Sequence, residues 1–268
     1  MNVRDVTEIV LSLNGDRRVD PTCDQLYEGD WDTEVTGVAT TFMATVDVIR
    51  RTIEQGANFI ITHEPTYFSG WDSRDWLVNN EVYLAKKSLI NKNGLAVWRY
   101  HDHMHMGDGD LIYDGLLEDL GWRNYTKIDR PDPHCYLIPP TPFADLVRFF
   151  KERLGMESVR VVGKADMTCT RVGILVGGGS LGLGDEKMPA KLMNDENLEV
   201  MVCGEITEWT LSAYVRDAAA LGFNTAMIIV GHERSEEPGM KYLAGVLEPL
   251  LKDIPISFID SGEPFRYQ

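Results

Sequence analysis

Three short apolar runs in this chain each end at a histidine, and this pattern constrains the fold more than any other feature. The runs are Asn58–Thr62 before His63, Leu95–Tyr100 before His101, and Met227–Gly231 before His232. Such runs are typical of strands buried on both faces of a parallel sheet. Because open α/β sheets bind ligands where their strands end, the sequence predicts an α/β fold with histidines at that edge.

Helical patterns alternate with these runs. Residues 43–55 carry apolar positions at helical spacing before the His63 strand, and residues 80–90 do the same before the His101 strand. An amphipathic pattern at 111–120 follows and is closed by Gly121. Alternating helices and strands favour right-handed crossovers and a parallel or mixed sheet.

A cluster of prolines interrupts the alternation of helices and strands in the middle of the chain. The cluster comprises Pro131, Pro133, Pro139, Pro140 and Pro142. Since proline disfavours helix interiors and central strands, we interpret the cluster as a crossing between two lobes. We expect an N-terminal lobe at 1–128, a middle lobe at 129–224, and a C-terminal segment at 225–268 that returns to the first lobe.

The second half of the chain continues the alternation. A helix capped by Thr141 and Pro142 is expected from Phe143 onward. The remaining predicted elements are a strand at 170–176, a strand at 200–203, a helix at 211–220, a strand at 225–230 and a short helix at 242–247 that stops before Pro249.

The composition of the chain indicates which binding partners and which cellular compartment to expect. The formal net charge is −16, so a nucleic-acid duplex would be repelled by the chain as a whole. The four cysteines stand singly, which argues against a thiolate zinc site and a disulfide scaffold, and we expect them to be reduced. No leader pattern opens the chain and no apolar stretch approaches the roughly 20 residues that span a bilayer. We therefore expect a cytoplasmic protein.

The histidines that end the apolar runs have carboxylates beside them. His63 is followed by Glu64, and His232 stands four residues before Glu236, so one helical turn would direct that pair to one point. Neutral imidazole and carboxylate are suitable ligands for Zn, Mn or Fe(II). These pairs predict metal-binding side chains at the strand ends.

The segment from His101 to His105 contains three of the six histidines of the chain. In an extended segment His101, His103 and His105 would share one face, whereas in a helix only the first and last would do so. Both geometries support a metal. Asp108 and Asp110 follow among glycines, as partners of the ligands or as solvated turn residues.

Taken together, these segments resemble the Nif-three-like proteins (NGG-one-interacting factor three). Members typically carry His-His-Pro after an apolar strand, then His-Thr-x-x-Asp, Thr-Gly-Glu, and a closing Gly-His-x-x-(Ser/Thr)-Glu. The matching stretches here are Ile61–Pro65, His101–His105, Cys203–Glu205 and Gly231–Glu236. Their order agrees along nearly the whole chain.

The resemblance implies a two-lobed α/β fold with mixed sheets, helices packed outside and a dinuclear metal centre between the lobes. The ligands that it implies are His63, His101, His232 and Glu236. It also implies a ring-shaped hexamer.

Two positions depart from the family pattern. Glu64 stands where the second histidine is usual, and His105 stands where the aspartate is usual. The exchange keeps one nitrogen and one oxygen ligand in total but moves them, so we expect both side chains among the metal ligands. An alternative register would use His103 or Asp108 instead of His105.

Two divalent ions, Zn, Fe or Mn, can share a water molecule, lower its pKa and stabilise charge on an attacked centre, so we expect a hydrolase. Glu64 or Glu205 would accept the proton. The family label, type-two GTP cyclohydrolase homologue, implies a small-molecule substrate of the nucleotide class. An anionic nucleotide would depend on the metals and on local cations such as Arg99 or Arg234.

Two other functions are compatible with the sequence. The first is a non-catalytic metal-binding or regulatory scaffold protein, which would bind metal without turnover. The second is dinucleotide binding at Gly177–Gly182, which formally satisfies G-x-G-x-x-G after a strand. Gly184 and Pro189 interrupt the helix that should receive the pyrophosphate, so we prefer a glycine turn and expect no organic cofactor.

Overall fold

The computed structural model of the chain describes residues 1–15, 17–107, 109–127, 134–266 and 268, with only the backbone described at 126, 127 and 134. The chain divides into two compact units. Unit 1 comprises residues 1–115 and 237–262, and unit 2 comprises residues 116–236 and 263–268. The lobe boundary expected at 128/129 lies outside the described residues, and the one at 224/225 stays a prediction.

The described residues form eleven strands, numbered in chain order. They are β1 (Leu26–Glu28), β2 (Val38–Thr41), β3 (Phe59–Thr62), β4 (Ala96–Arg99), β5 (Thr126–Lys127), β6 (His134–Pro142), β7 (Arg160–Gly163), β8 (Thr168–Leu175), β9 (Val200–Cys203), β10 (Ala226–Ile229) and β11 (Ile256–Phe258).

Nine α-helices and two short 3-10 turns complete the described elements. The helices are α1 (Val3–Ser12), α2 (Val46–Glu54), α3 (Glu81–Lys92), α4 (Asp102–Met106), α5 (Leu111–Leu120), α6 (Phe143–Arg153), α7 (Met188–Asp195), α8 (Leu211–Ala220) and α9 (His232–Leu247), and the 3-10 turns are Asp75–Leu77 and Gly177–Leu181.

Unit 1 is built on a five-stranded mixed sheet in the order β1-β4-β3-β2-β11. Strands β4, β3, β2 and β11 run parallel, and β1 pairs antiparallel with β4. Every residue of β3 and β4 is buried, as the apolar runs predict, and every residue of β2, which no run predicted, is buried as well. Helices α2 and α3 contribute to a core that includes Val48, Ile49, Ile60, Ile90 and Val97.

Local capping fixes where the unit 1 helices begin. The Thr45 side chain accepts a hydrogen bond from the Val48 backbone, so α2 begins at residue 46 and not at 43. The Asn80 side chain caps α3 in the same way, accepting from the Tyr83 backbone. The predicted helices at 111–120 and 211–220 are confirmed with the same bounds.

Unit 2 is built on a six-stranded mixed sheet in the order β5-β6-β8-β9-β10-β7. Strands β8, β9 and β10 are parallel neighbours, and their last residues lie side by side: Leu175 pairs with Cys203, and Cys203 pairs with Ile229. The segments that follow these strands therefore leave the sheet at one edge. Met201, Cys203 and Met227 belong to the core of this unit, together with residues of α7 and α8.

The proline cluster is not wholly a crossing. Pro139 and Pro140 lie inside β6, where the register with β8 shifts between the Leu137–Arg171 and Thr141–Cys169 pairs. Proline lacks an N–H group, and the irregular stretch of the ladder does not require one there. Helix α6 begins at Phe143 as predicted, but Thr141 does not cap it, because the N-cap residue is Pro142, which makes no side-chain hydrogen bond.

The last helix is longer than predicted. The sequence predicts a helix at 242–247, but α9 begins at His232 and contains Pro238. Proline removes one intrahelical hydrogen bond, and the buried side chains of Met240, Leu243 and Leu247 offset this loss through packing. None of the described helices is long and apolar enough to cross a membrane.

Candidate metal centre

Three histidines of unit 1 lie against one another. His63 directly follows β3, His101 immediately precedes α4, and His105 lies within α4. Their ring centroids are 4.6 Å apart for His63 and His101, 5.0 Å for His63 and His105, and 5.1 Å for His101 and His105. One ring nitrogen of each lies within 4.8 Å of those of the other two. We call these residues the histidine trio.

The helical conformation of α4 decides between the alternatives for this segment. His101 and His105 are one turn apart and share a face, whereas His103 lies elsewhere. Both ring nitrogens of His103 have other partners: Nδ1 contacts Asp24 Oδ2 at 2.8 Å, and Nε2 accepts from the Val19 N–H at 3.2 Å. His103 therefore has no nitrogen to offer a metal. The other alternative ligand, Asp108, lies outside the described residues.

A hydrogen bond at Nδ1 orients each ring of the trio. The acceptors are the Tyr100 carbonyl for His63 at 3.1 Å, Asp102 Oδ1 for His101 at 3.0 Å, and Asp110 Oδ2 for His105 at 2.9 Å. A carbonyl or carboxylate oxygen can only accept a hydrogen bond here, so Nδ1 donates and carries the hydrogen while Nε2 carries the lone pair. This arrangement is typical of metal-binding histidines.

Asp24 positions α4 and was not found from the sequence. Its Oδ1 accepts from the backbone N–H groups of His101 at 2.7 Å and Asp102 at 2.8 Å, and its Oδ2 accepts from that of His103 at 2.9 Å. It thus serves the helix as an N-terminal cap. A local capping pattern could not reveal it, because Asp24 is 77–79 residues away in sequence.

Asp102 is fixed on both sides. Its Oδ1 contacts the His101 ring, and its Oδ2 accepts from Thr22 Oγ1 and the Cys23 N–H, both at 2.9 Å. The hydrogen bond from His101 holds the pKa of the Asp102 carboxyl well below its usual range, so it stays ionised. Cys23 also lies near this pair. Burial raises the pKa of its thiol to about 12, which disfavours the thiolate that a metal requires.

Glu64 is held by a buried arginine. Arg99 Nη2 lies 3.2 Å from Glu64 Oε2, and the same guanidinium donates to the carbonyls of His63 at 2.9 Å and Gly70 at 2.5 Å. The other carboxylate oxygen, Oε1, lies 3.7 Å from His101 Nε2. Glu64 therefore presents one oxygen towards the histidine trio. Because Arg99 has these internal partners, it is not available as a cation for substrate.

Unit 2 brings together a second group of donors. His232 and Glu236 lie one turn apart at the start of α9, with Nε2 and Oε2 separated by 2.9 Å, as the spacing of four residues predicts. Glu236 is buried. Glu205 follows β9 and places its Oε1 at 3.5 Å from His232 Nδ1. We call His232 and Glu236 the helix pair.

Gly177 leaves the space that the helix pair occupies. Its φ is +49°, and a Cβ at this position would overlap the Glu236 carboxylate and lie 2.8 Å from His232 Nε2. Its N–H donates to Ser235 Oγ at 2.9 Å, and that hydroxyl donates to the His232 carbonyl at 2.7 Å. The glycine loop leads into a 3-10 turn rather than directly into a helix, as expected for a glycine turn.

The donor chemistry fits divalent metals in both units. Imidazole nitrogen and carboxylate oxygen are the ligands that Zn, Mn and Fe(II) accept, and the rings of the trio are already turned for binding. Seven of the side chains predicted from the sequence lie in two clusters. The cluster in unit 1 contains His63, Glu64, His101 and His105, and the cluster in unit 2 contains Glu205, His232 and Glu236.

Comparison with known proteins identifies the family. The family model of Duf34/NIF3 (NGG1p interacting factor 3) matches residues 1–264. The chain belongs to the NIF3 family. The resemblance drawn from its motifs is thereby confirmed.

Relatives of the NIF3 family carry a common name. A GTP cyclohydrolase 1 type 2 homolog from Clostridium perfringens is 26% identical over 255 residues, covering 90% of each chain. A protein of the same name from Staphylococcus aureus is 50% identical over 129 residues, which is 48% of this chain and 34% of that relative.

Solved structures share the NIF3 fold. A Staphylococcus aureus hypothetical protein superposes with a TM-score of 0.75 at 21% identity, and a Bacillus cereus protein related to NIF3 superposes with a TM-score of 0.76 at 14% identity. Each match covers 100% of this chain and 99% of the other. The α/β fold class predicted from the sequence is therefore confirmed.

Proposed function

We propose that this NIF3-family protein is a metal-dependent hydrolase that binds two divalent ions, Zn, Fe or Mn. The observation that carries the proposal is the orientation of the histidine trio, in which hydrogen bonds leave Nε2 of each ring for a metal. The proposed ligands are His63, His101, His105, His232 and Glu236.

Different residues of the chain are proposed to bind the metal ions and to accept the proton. The trio and the helix pair would hold the ions, which when bound supply Lewis acidity that activates water and stabilises developing charge. Glu64 is the proposed proton acceptor, because Arg99 engages one of its oxygens and the other faces His101.

The proposed substrate is a small molecule of the nucleotide class, which the relatives' name supports. Local cations contribute little, since Arg99 is engaged internally and Arg234 lies 3.3 Å from Glu233 and 3.8 Å from Glu263. A phosphate group would therefore depend on the metal ions. The resemblance to the family also supports a ring-shaped hexamer, which stays a prediction.

Elemental analysis of protein purified without an affinity tag tests the metal site. We expect about two transition-metal ions per chain. His101→Ala should lower the content to one ion or fewer, because it removes a proposed ligand. His103→Gln is the matched control and should leave the content unchanged, since both ring nitrogens of His103 have protein partners. Full metal content in His101→Ala would contradict the assignment.

A second measurement separates the hydrolase from a scaffold. The metal-loaded protein is incubated with GTP, and release of phosphate or opening of the base is followed by chromatography. Turnover that Glu64→Gln abolishes, with metal content retained, supports the proposed proton acceptor. Metal binding without turnover of GTP or other nucleotides would refute hydrolysis and favour a regulatory or scaffolding role.

A further inference from the structure

Glu205 lies on the opposite side of the His232 ring from Glu236. Its Oε1 is 3.5 Å from Nδ1, while Glu236 Oε2 is 2.9 Å from Nε2. The imidazole thus stands between two carboxylates. The Glu205 side chain is about half exposed, at 52%, whereas that of Glu236 is 4% exposed.

The backbone around Glu205 is fixed by the same turn that makes room for the helix pair. The Glu205 N–H donates to the Gly177 carbonyl at 2.9 Å, and Ser180 Oγ donates to the Glu205 carbonyl. Gly204 packs so closely on Gly177 that a Cβ there would collide with its backbone. The backbone at Glu205 is therefore held by the turn that follows β8.

The contact between Glu205 and His232 can be compared with the contacts at Nδ1 in the histidine trio. Each of its rings has an oxygen acceptor at Nδ1, which leaves Nε2 for a ligand. Glu205 Oε1 lies on the same side of the His232 ring, at 3.5 Å from Nδ1, which is longer than the 2.9–3.1 Å hydrogen bonds of the trio. A carboxylate there would keep the hydrogen on Nδ1 and make Nε2 a better electron donor.

We infer that Glu205 is a positioning residue for His232, neither a metal ligand nor the proton acceptor of the reaction. It holds the ring in the orientation that presents Nε2 beside Glu236. This inference rests on the proposed metal-binding function and revises the role that the sequence suggested for Glu205. It assigns a purpose to the Cys203-Gly204-Glu205 motif: the glycine allows close packing and the glutamate orients the histidine.

Two substitutions of Glu205 in the full-length protein test the inference, with Zn²⁺ as the probe. Glu205→Gln keeps an oxygen that accepts from Nδ1 and should bind Zn²⁺ within a few-fold of wild type. Glu205→Leu removes the acceptor and should weaken binding by about 10–100-fold, as loss of such partners typically does. Affinity is measured by competition with a chromophoric chelator. Glu208→Leu, a nearby exposed site, controls for lost charge.

Nitrogen NMR of the zinc-loaded protein reports which His232 ring nitrogen carries the hydrogen and which binds the metal. A purely structural role of Glu205 would leave this assignment unchanged. The His232 ring should show hydrogen on Nδ1 and metal on Nε2 in wild type and in Glu205→Gln. In Glu205→Leu this signature should weaken or change. The half-exposed side chain makes unfolding by these substitutions a small risk, and circular dichroism checks it.

The outcomes distinguish this inference from the proposed function. If Glu205→Gln lost as much affinity as Glu205→Leu, the carboxylate would be a ligand and the inference would be overturned. Unchanged affinity and an unchanged ring spectrum in Glu205→Leu would overturn it while leaving metal binding intact. A wild-type chain that binds no Zn²⁺ would overturn both. Absence of turnover with the expected zinc results would overturn hydrolysis alone.

Discussion

At the scale of single residues, Gly177 contributes by having no side chain. The backbone conformation at φ +49° is one that residues with a Cβ rarely adopt, and the helix pair fills the space beside it. The Glu236 carboxylate is the flexible end of a side chain, so it can move away from an added methyl group. The consequence of such a change is therefore expected mainly in metal binding, with a smaller effect on stability.

Gly177→Ala tests this expectation. The added Cβ should displace Glu236 and weaken Zn²⁺ binding by tenfold or more, while the strained backbone costs about 1–2 kcal/mol of stability. Gly178→Ala is the matched control, because a Cβ there meets nothing within 4 Å. Chelator competition and urea unfolding are compared for both variants. Equal zinc affinity in the two variants would show that Gly177 makes no room for a ligand.

At the scale of elements, α5 and α9 approach closely within unit 1. A Cβ on Gly115 would meet the backbone of Gly239, and one on Gly239 would lie 2.6 Å from Ile112 Cα. Neither helix could keep this separation with larger residues at the contact. Thr40 Oγ1 also donates to the Met240 carbonyl at 2.8 Å, which ties α9 to the β2 strand. Packing thus sustains a helix that contains Pro238.

Gly239→Ala and Gly245→Ala separate packing from helix propensity. Both lie in α9, but a Cβ on Gly245 meets nothing within 4 Å. Gly239→Ala should destabilise the protein by about 1–3 kcal/mol through overpacking against α5. Gly245→Ala should be neutral or stabilise by up to about 1 kcal/mol, because alanine favours helix. Urea unfolding measures both, and equal stabilisation by the two changes would contradict the close contact.

At the scale of the whole molecule, charge and metal binding are linked. The formal net charge is −16, and the proposed ligands include carboxylates, so both would repel the phosphate-bearing substrate that we propose. Divalent ions would offset this repulsion locally. Bound ions would also stabilise the folded chain, since His63 and His101 come from separate segments of unit 1 that only folding brings together.

Metal removal should therefore lower the melting temperature. An ion present at about a hundred times its Kd stabilises the folded state by about 2.7 kcal/mol per site. Treatment with EDTA should lower the melting temperature of the wild-type protein by several degrees, and added Zn²⁺ should restore it. His101→Ala should respond weakly. Identical melting curves with and without chelator, in protein shown to contain metal, would exclude a stabilising site.

Much of the fold was predictable because its signals are local. The buried strands before His63, His101 and His232 follow from apolar runs, and two helices were predicted with their observed bounds. The family followed from the motifs at those strand ends. Periodicity and chain order suffice for such features, since each depends on neighbouring residues.

By itself, the sequence determined the fold class, the buried strands and the side chains that the strand ends present. Only the tertiary structure decided how the histidine rings are oriented, because the partners that orient the rings and cap α4 include Asp24, far away in the chain. It also decided that β6 continues through Pro139 and α9 through Pro238. Proline locally disfavours both elements, but an irregular ladder in β6 and close helix packing at α9 outweigh this preference. Neither effect is encoded by neighbouring residues.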